Sequence, residues 1–145
     1  MLPHNLDLSF LSDCRLDHVA VAVKDMDQSI KFYELLGLKF CSEREIIPME
    51  KVIVAFAAID QFARLELLQS TETDGPIAKF ISKKGEGLHH LCFLVNNIAQ
   101  KQSQLSDLGL QFIYDKVRQG ANNRLINFIH PKSTGGVLIE LSQKK

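Results

Sequence analysis

Leu16-Asp17-His18-Val19-Ala20-Val21-Ala22-Val23 and Leu88-His89-His90-Leu91-Cys92-Phe93-Leu94-Val95 decide the fold, because the same sequence of elements follows each of them. Each places a histidine at the head of an aliphatic run, and each leads through a helical stretch to a Leu-Gly-Leu-x-Phe stop, at 36–40 and at 108–112. His90 follows His18 by 72 positions, and Gly109 follows Gly37, and Phe112 follows Phe40, by the same 72. Later in each copy an acidic residue interrupts an aliphatic strand, as Arg64-Leu65-Glu66-Leu67-Leu68 and as Val137-Leu138-Ile139-Glu140-Leu141. That spacing is 74, a slip that one loop absorbs. The chain is one structural unit written twice.

Working outward, residues 1–14 lack a clear period and read as an extension before the first strand. Asp25 then caps a helix whose apolar positions Met26, Ile30, Tyr33 and Leu36 recur at helical spacing, with Gly37 at its stop. Strands are expected at 38–46, 51–59 and 62–69, the last two joined at Asp60-Gln61. Module one, about 15–70, is thus βαβββ. Pro76 in first helical position and Gly85 and Gly87 beyond the end mark a connector helix over about 74–85. Module two, about 87–143, repeats the plan: strand 88–95, a helix from about Asn97 to Leu108, and strands near 110–115, 124–130 and 136–142. The expected fold is α+β: two tandem βαβββ modules, forming one domain over 15–143, with a curved, mostly antiparallel sheet around a metal-binding cavity.

Composition narrows the function. The 145 residues suit one domain with a real core. Lys plus Arg equal Asp plus Glu at 17 each, so no global charge draws the chain to nucleic acid or to an anionic membrane, and neither is an expected partner. The longest apolar run, Val52–Ile59, is too short to span a bilayer, and no basic-then-apolar leader pattern opens the chain. Cys14, Cys41 and Cys92 are odd in number and form no CxxC pair, so neither a disulfide framework nor a thiolate zinc site is expected. A cytoplasmic location follows as the expectation.

Strand alternation puts His18, Ala20 and Ala22 on one face and Val19, Val21 and Val23 on the other. The branched face suits packing under the helix, while the alanines leave room in front of the histidine. Glu66 and Glu140 likewise point away from their apolar neighbours. A single strand histidine is more often a hydrogen-bonded interior residue, and a single strand glutamate usually faces water. The repeat changes that weighting: two imidazoles and two carboxylates at matching positions form a ligand set that Zn, Co, Ni, Mn or Fe accepts. The expected site is therefore one divalent ion, with Co, Zn, Mn or Ni the leading choices, held by His18, Glu66, His90 and Glu140. Register with His18 selects His90 over His89, because alternation admits only one of the pair to the cavity. Cys92 is expected to line that cavity as an apolar group, and His130, before Pro131, to serve a turn.

At this point the residues resemble the vicinal oxygen chelate (glyoxalase/bleomycin resistance) superfamily, and within it the methylmalonyl-CoA epimerases. The closer likeness rests on Leu16–Val23, Pro76-Ile77-Ala78-Lys79-Phe80, Gly85-Glu86-Gly87-Leu88-His89-His90, and the run from His130 to Leu141, together spanning residues 15–143. The resemblance implies an isomerase that removes and returns the proton between thioester and carboxylate of an acyl-CoA, with Glu140 as catalytic base as well as ligand, in a homodimer. Where glyoxalase I relatives carry Asp-Pro-Asp-Gly, this chain has His130-Pro131-Lys132-Ser133. That disfavours the alternative of a lactoylglutathione lyase, and the complete ligand set disfavours a non-catalytic binding or resistance protein. Two departures stand out. The second catalytic glutamate of some members is matched by Val54, with Glu45 and Glu50 nearby beside a loop. The turn Gly120-Ala121-Asn122-Asn123-Arg124 is poorer in glycine than is usual, although Asn accepts positive φ. Lys116, Arg118, Arg124 and Lys132 are the candidates for the coenzyme A phosphates.

Overall fold

A computed structural model describes residues 13–145, so the expected extension and His4 fall almost wholly outside the described part. The chain forms β1 (Cys14–Ala22), α1 (Met26–Leu35), β2 (Glu45–Ile47), β3 (Val52–Ala58), β4 (Arg64–Ser70), α2 (Pro76–Lys84), β5 (Gly87–Val95), α3 (Ile98–Asp107), β6 (Arg118–Gln119), β7 (Arg124–Ile129) and β8 (Ile139–Lys144). The strands make one sheet in the order β2-β3-β4-β1-β5-β8-β7-β6. The pairings β1/β4 and β5/β8 are parallel and all others antiparallel, so the repeat reads outward symmetrically from the central antiparallel pair β1/β5.

Local chemistry sets the helices. The Asp25 side chain accepts the Gln28 N–H at 3.0 Å and the Asn97 side chain accepts the Gln100 N–H at 3.0 Å, so both copies start their helix with the same cap. Gly37 and Gly109, at φ of 97° and 95°, end both. One face of the sheet packs on these helices: Val21, Val23, Leu65 and Leu67 beneath α1, and Val95, Ile129 and Leu141 beneath α3. The other face gathers Ala20, Ala22, Val54, Phe56 and Leu68 around Ile77 of α2. Alternation along each strand thus sorts residues between a helix-covered face and a concave face, as the valine/alanine pattern of β1 requires. No helix among the described residues is long and apolar enough to cross a membrane.

Several expected boundaries change. The first strand starts at Cys14, and the strand expected at 38–46 shrinks to an isolated bridge between Phe40 and Ala57 followed by the three residues of β2. The strand expected at 110–115 is likewise only a bridge between Phe112 and Ile129, and regular pairing resumes at β6. Both segments are sheet margins, where a strand has a partner on one side only and its sequence alternation need not be matched by a ladder. The β3/β4 turn is longer than Asp60-Gln61, because the Asp60 carboxylate accepts the N–H groups of Phe62 and Ala63 and so builds a wider loop. The last strand begins at Ile139, after a 3-10 turn at Pro131–Ser133 where His130 Nδ1 accepts the Lys132 N–H. His130 therefore has the turn role expected of it.

The ends of the sheet curl toward one another over the concave face. Glu45 of β2 accepts the backbone N–H of Asn122 at 2.8 Å, and Arg118 of β6 donates to Glu50 at 3.2 Å. Asn122 and Asn123 sit at φ of 56° and 54°, so asparagine does supply the left-handed turn that glycine would otherwise provide.

Candidate metal centre

His18 on β1, Glu66 on β4, His90 on β5 and Glu140 on β8 occupy the four central strands, and all point to the concave face. One ligand atom from each lies within 4.8 Å of the others, and all four side chains are buried. His18 Nε2 stands 3.2 Å from His90 Nε2, 3.1 Å from Glu66 Oε2 and 3.1 Å from Glu140 Oε2. His90 Nε2 stands 2.8 Å from Glu140 Oε2 and 3.5 Å from Glu66 Oε2.

Three observations test whether a divalent ion fits. Donors bound at about 2.1 Å stand about 3.0 Å apart around an octahedral ion and about 3.4 Å apart around a tetrahedral one. The separations of 2.8 to 3.5 Å are those of donors sharing one ion. Next, Glu66 Oε2 is buried with no hydrogen-bond partner, since His18 Nε2 is near enough but not oriented to donate to it. A desolvated carboxylate oxygen without a donor is costly, and a cation removes the cost. Finally, His18 is held well above its ordinary pKa: burial pushes it down, but Glu66, Asp17, Cys92 and Glu140 together outweigh burial. A positive charge is stabilised at this point, and a metal would take the place of that proton. The residues fit a divalent ion.

The outer partners of the two histidines come from a feature that strict alternation misses. In the β1/β5 ladder, Leu16 pairs with Phe93 and His18 with Cys92, which leaves Asp17 extra; Ala20 pairs with His90 and Val21 with Leu88, which leaves His89 extra. Each copy therefore carries a bulge beside its histidine, and a bulge turns a side chain off its alternating face. Asp17 Oδ2 accepts from His18 Nδ1 at 2.7 Å, and His89 Nδ1 meets His90 Nδ1 at 2.9 Å. Both contacts leave Nε2 to face the cluster. Burial, together with the charge of His90 and that of Lys84, pushes His89 down to about 3 against the opposing pull of Glu140, so it is neutral and serves as acceptor. The expectation that His89 faces away is corrected: it lines the cavity, while His90 alone of the pair joins the cluster.

Asp17 is 5% exposed and carries more than His18. Arg64 Nη2 donates to Oδ2 at 2.7 Å and Arg124 Nη1 donates to Oδ1 at 2.5 Å. Burial raises the pKa of this carboxyl, but the hydrogen bonds from His18, Arg124 and Arg64 outweigh it and hold the group well below the usual range. Arg124, a phosphate candidate by sequence, is thus committed inside the site. Glu140 is also held low, because its bonds with His18 and His90 outweigh burial. Cys92 is fully buried beside Asp17 and His18 and does not line the cavity as expected; burial, with the Glu140 charge, keeps its thiol protonated.

The cluster forms the floor of a cleft with walls of Val52, Val54, Phe56, Ile77 and Phe128. Among the described residues the lining includes four carboxylates: Asp17, Glu50, Glu66 and Glu140. Glu50, which the sequence marks only as a neighbour of Val54 beside a loop, lines the cavity. Val54, the position matched there to a second catalytic glutamate, is an apolar wall residue only 1% exposed. Glu50 stands at the end of a 3-10 turn, Pro48–Glu50, where no periodicity reports its direction. It lies at the seam where the two ends of the curled sheet meet, bonded to Tyr114 and Arg118 of the other module, and lines the same cavity as the cluster.

A curled sheet of paired modules with two His and two Glu at its centre defines a class of protein. Residues 17–128 match the Glyoxalase/Bleomycin resistance protein/Dioxygenase superfamily, and the chain belongs to that superfamily. It is 42% identical over 132 residues to YqjC, an uncharacterised protein of Bacillus subtilis, covering 90% of this chain and 93% of that one. It is 38% identical over 131 residues to human mitochondrial methylmalonyl-CoA epimerase, covering 89% of this chain and 73% of the human protein. Among solved structures, a Streptomyces coelicolor methylmalonyl-CoA epimerase variant in complex with 2-nitronate-propionyl-CoA matches with a TM-score of 0.86 at 31% identity, covering 90% of this chain and 96% of the other.

Proposed function

We propose that this protein interconverts the two epimers of methylmalonyl-CoA, with His18, Glu66, His90 and Glu140 holding one divalent ion, Co, Zn, Mn or Ni. The observation that carries this reading is that two carboxylates on different elements, Glu140 in the cluster and Glu50 at the seam, line one cavity. Inversion of an acidic carbon needs a base on one face and an acid on the other. The epimerases among the relatives, one of them holding an acyl-CoA analogue, supply the substrate class.

When bound, the ion would supply Lewis-acid stabilisation of the negative charge that develops on the thioester oxygen. The chain's own groups move the proton. Glu140, held ionised by the two histidines, takes the proton from one face of the carbon between thioester and carboxylate, and the C–H electron pair passes into the thioester. Glu50, protonated, returns a proton to the opposite face. The reverse reaction exchanges their roles, so nothing is oxidised or reduced. The apolar walls Val54, Phe56 and Phe128 exclude water from the enolate.

The test is incubation of each epimer with metal-loaded protein in deuterium oxide. Racemisation with deuterium uptake at the acidic carbon is expected, with poor turnover of the hemithioacetal of methylglyoxal and glutathione. Glu140→Gln, with its metal content measured in the same sample, should lose about 100-fold or more in turnover. Efficient hemithioacetal isomerisation without exchange into methylmalonyl-CoA would replace this reading with a lactoylglutathione lyase.

A further inference from the structure

Glu50 is oriented by contacts from the other module. Its turn is three residues long, has no side-chain cap, and ends at Lys51 in the left-handed conformation with φ of 54°, so its own backbone does little to hold the carboxylate. Lys51 itself is engaged with Glu72 and Asp74. The Tyr114 hydroxyl stands 3.2 Å from Glu50 Oε1 and 3.3 Å from Oε2, and Arg118 Nη1 donates to Oε1 at 3.2 Å. The Arg118 guanidinium stacks on the Tyr114 ring, 3.4 Å from its centroid, so the two donors fix each other.

Tyr114 is anchored from behind. Asn127, fully buried, accepts the Tyr114 N–H at 3.3 Å, donates to the Tyr114 carbonyl at 2.9 Å, and is tied to Gln102 of α3 at 2.8 Å. The Tyr114 ring meets the edge of Phe128, whose ring in turn packs against His90. The hydroxyl is thus referenced to the same framework that sets the metal ligands. Burial and the Glu50 charge keep the phenol protonated, with Arg118 opposing.

Resting on the epimerase reading, we infer that Tyr114 is a positioning residue for Glu50, holding that carboxylate in reach of one face of the substrate in both of its protonation states. The chemistry of the two donors differs. Arg118 can only donate, so in the acid form it can serve the carbonyl oxygen but cannot accept from the acid O–H. A hydroxyl donates to a carboxylate and, after rotating, accepts from a carboxylic acid. An epimerase acid/base alternates between those two forms in every turnover, and of its two partners only Tyr114 can also accept from the proton-bearing oxygen. The near-equal distances to the two oxygens, both long for O–H···O, suit a partner that shifts between them.

The experiment separates the two faces. Wash-in of deuterium from deuterium oxide is measured for each epimer alone, with wild type, Tyr114→Phe, Glu50→Gln and the double variant, all metal-loaded and of equal metal content. Tyr114→Phe should lower kcat on the order of tenfold with KM within about twofold, a partial loss of one acid/base contribution. It should slow exchange from the epimer that Glu50 deprotonates and leave exchange from the other epimer, served by Glu140, at the wild-type rate. In the Glu50→Gln background it should add nothing further. Equal slowing for both epimers, a rise in KM alone, or full additivity with Glu50→Gln would overturn the inference and make Tyr114 a brace for the seam or a substrate contact. Wild type that exchanges neither epimer would refute the epimerase reading itself, and this inference with it.

Discussion

Asp17→Asn keeps the shape of a buried side chain and removes its charge from a four-group cluster. In the native protein one carboxylate answers two guanidiniums and the His18 Nδ1–H, at 2.5 to 2.7 Å. In the variant, one oxygen becomes an amide nitrogen that can only donate, facing Arg or His groups that also donate. Breaking a buried ion pair by removing one partner costs about 3–5 kcal/mol. Because the side chains of Arg64 and Arg124 retain 24% and 14% exposure, part of that cost is recovered by water. We expect a loss of about 2–4 kcal/mol. Urea unfolding of the metal-free protein measures it: with a slope of about 2 kcal/mol/M the midpoint should fall by roughly 1–2 M. The pH dependence is fixed in sign. A carboxyl whose pKa is lowered on folding contributes stability above its unfolded value, about 3.9, and loses it as pH falls through the folded value. The gap between wild type and variant should therefore stay constant from about pH 5 to 8 and close only in strong acid. The same change should weaken metal binding about 10- to 100-fold, since Asp17 orients His18. A midpoint unchanged within error, or a gap that closes toward alkaline pH instead, would refute the argument.

His90→Ala should abolish high-affinity metal binding, measured by elemental analysis after gel filtration, whereas His89→Ala, which removes the contact to His90 Nδ1 but no ligand, should weaken it about tenfold; the reverse order would mean that the two histidines are misassigned. Gly120→Ala should cost about 1–3 kcal/mol by overpacking, because a Cβ there would lie 2.9 Å from both Cδ1 and Cγ2 of Ile126. Thermal unfolding checks that change, and metal content should be unaffected because neither residue touches the cluster.

What the sequence determined by itself is the periodic part of the protein. The 72-residue repeat, the caps at Asp25 and Asn97 and the strand alternation are local chemistry, and they were enough to put His18, Glu66, His90 and Glu140 on one face. Each is a mid-strand residue, whose direction follows from its neighbours in the chain. The tertiary structure alone decided what strand periodicity does not report. Bulges at Asp17 and His89 depend on how β1 pairs with β5, and they gave each histidine its Nδ1 partner. Arg64 and Arg124 meet at Asp17 across 47 and 107 positions of chain. Glu50 reaches Tyr114 and Arg118, 64 and 68 positions away, only because the sheet curls far enough to bring its margins together. That curvature accumulates from the twist of every strand pair, so no single stretch of sequence displays it.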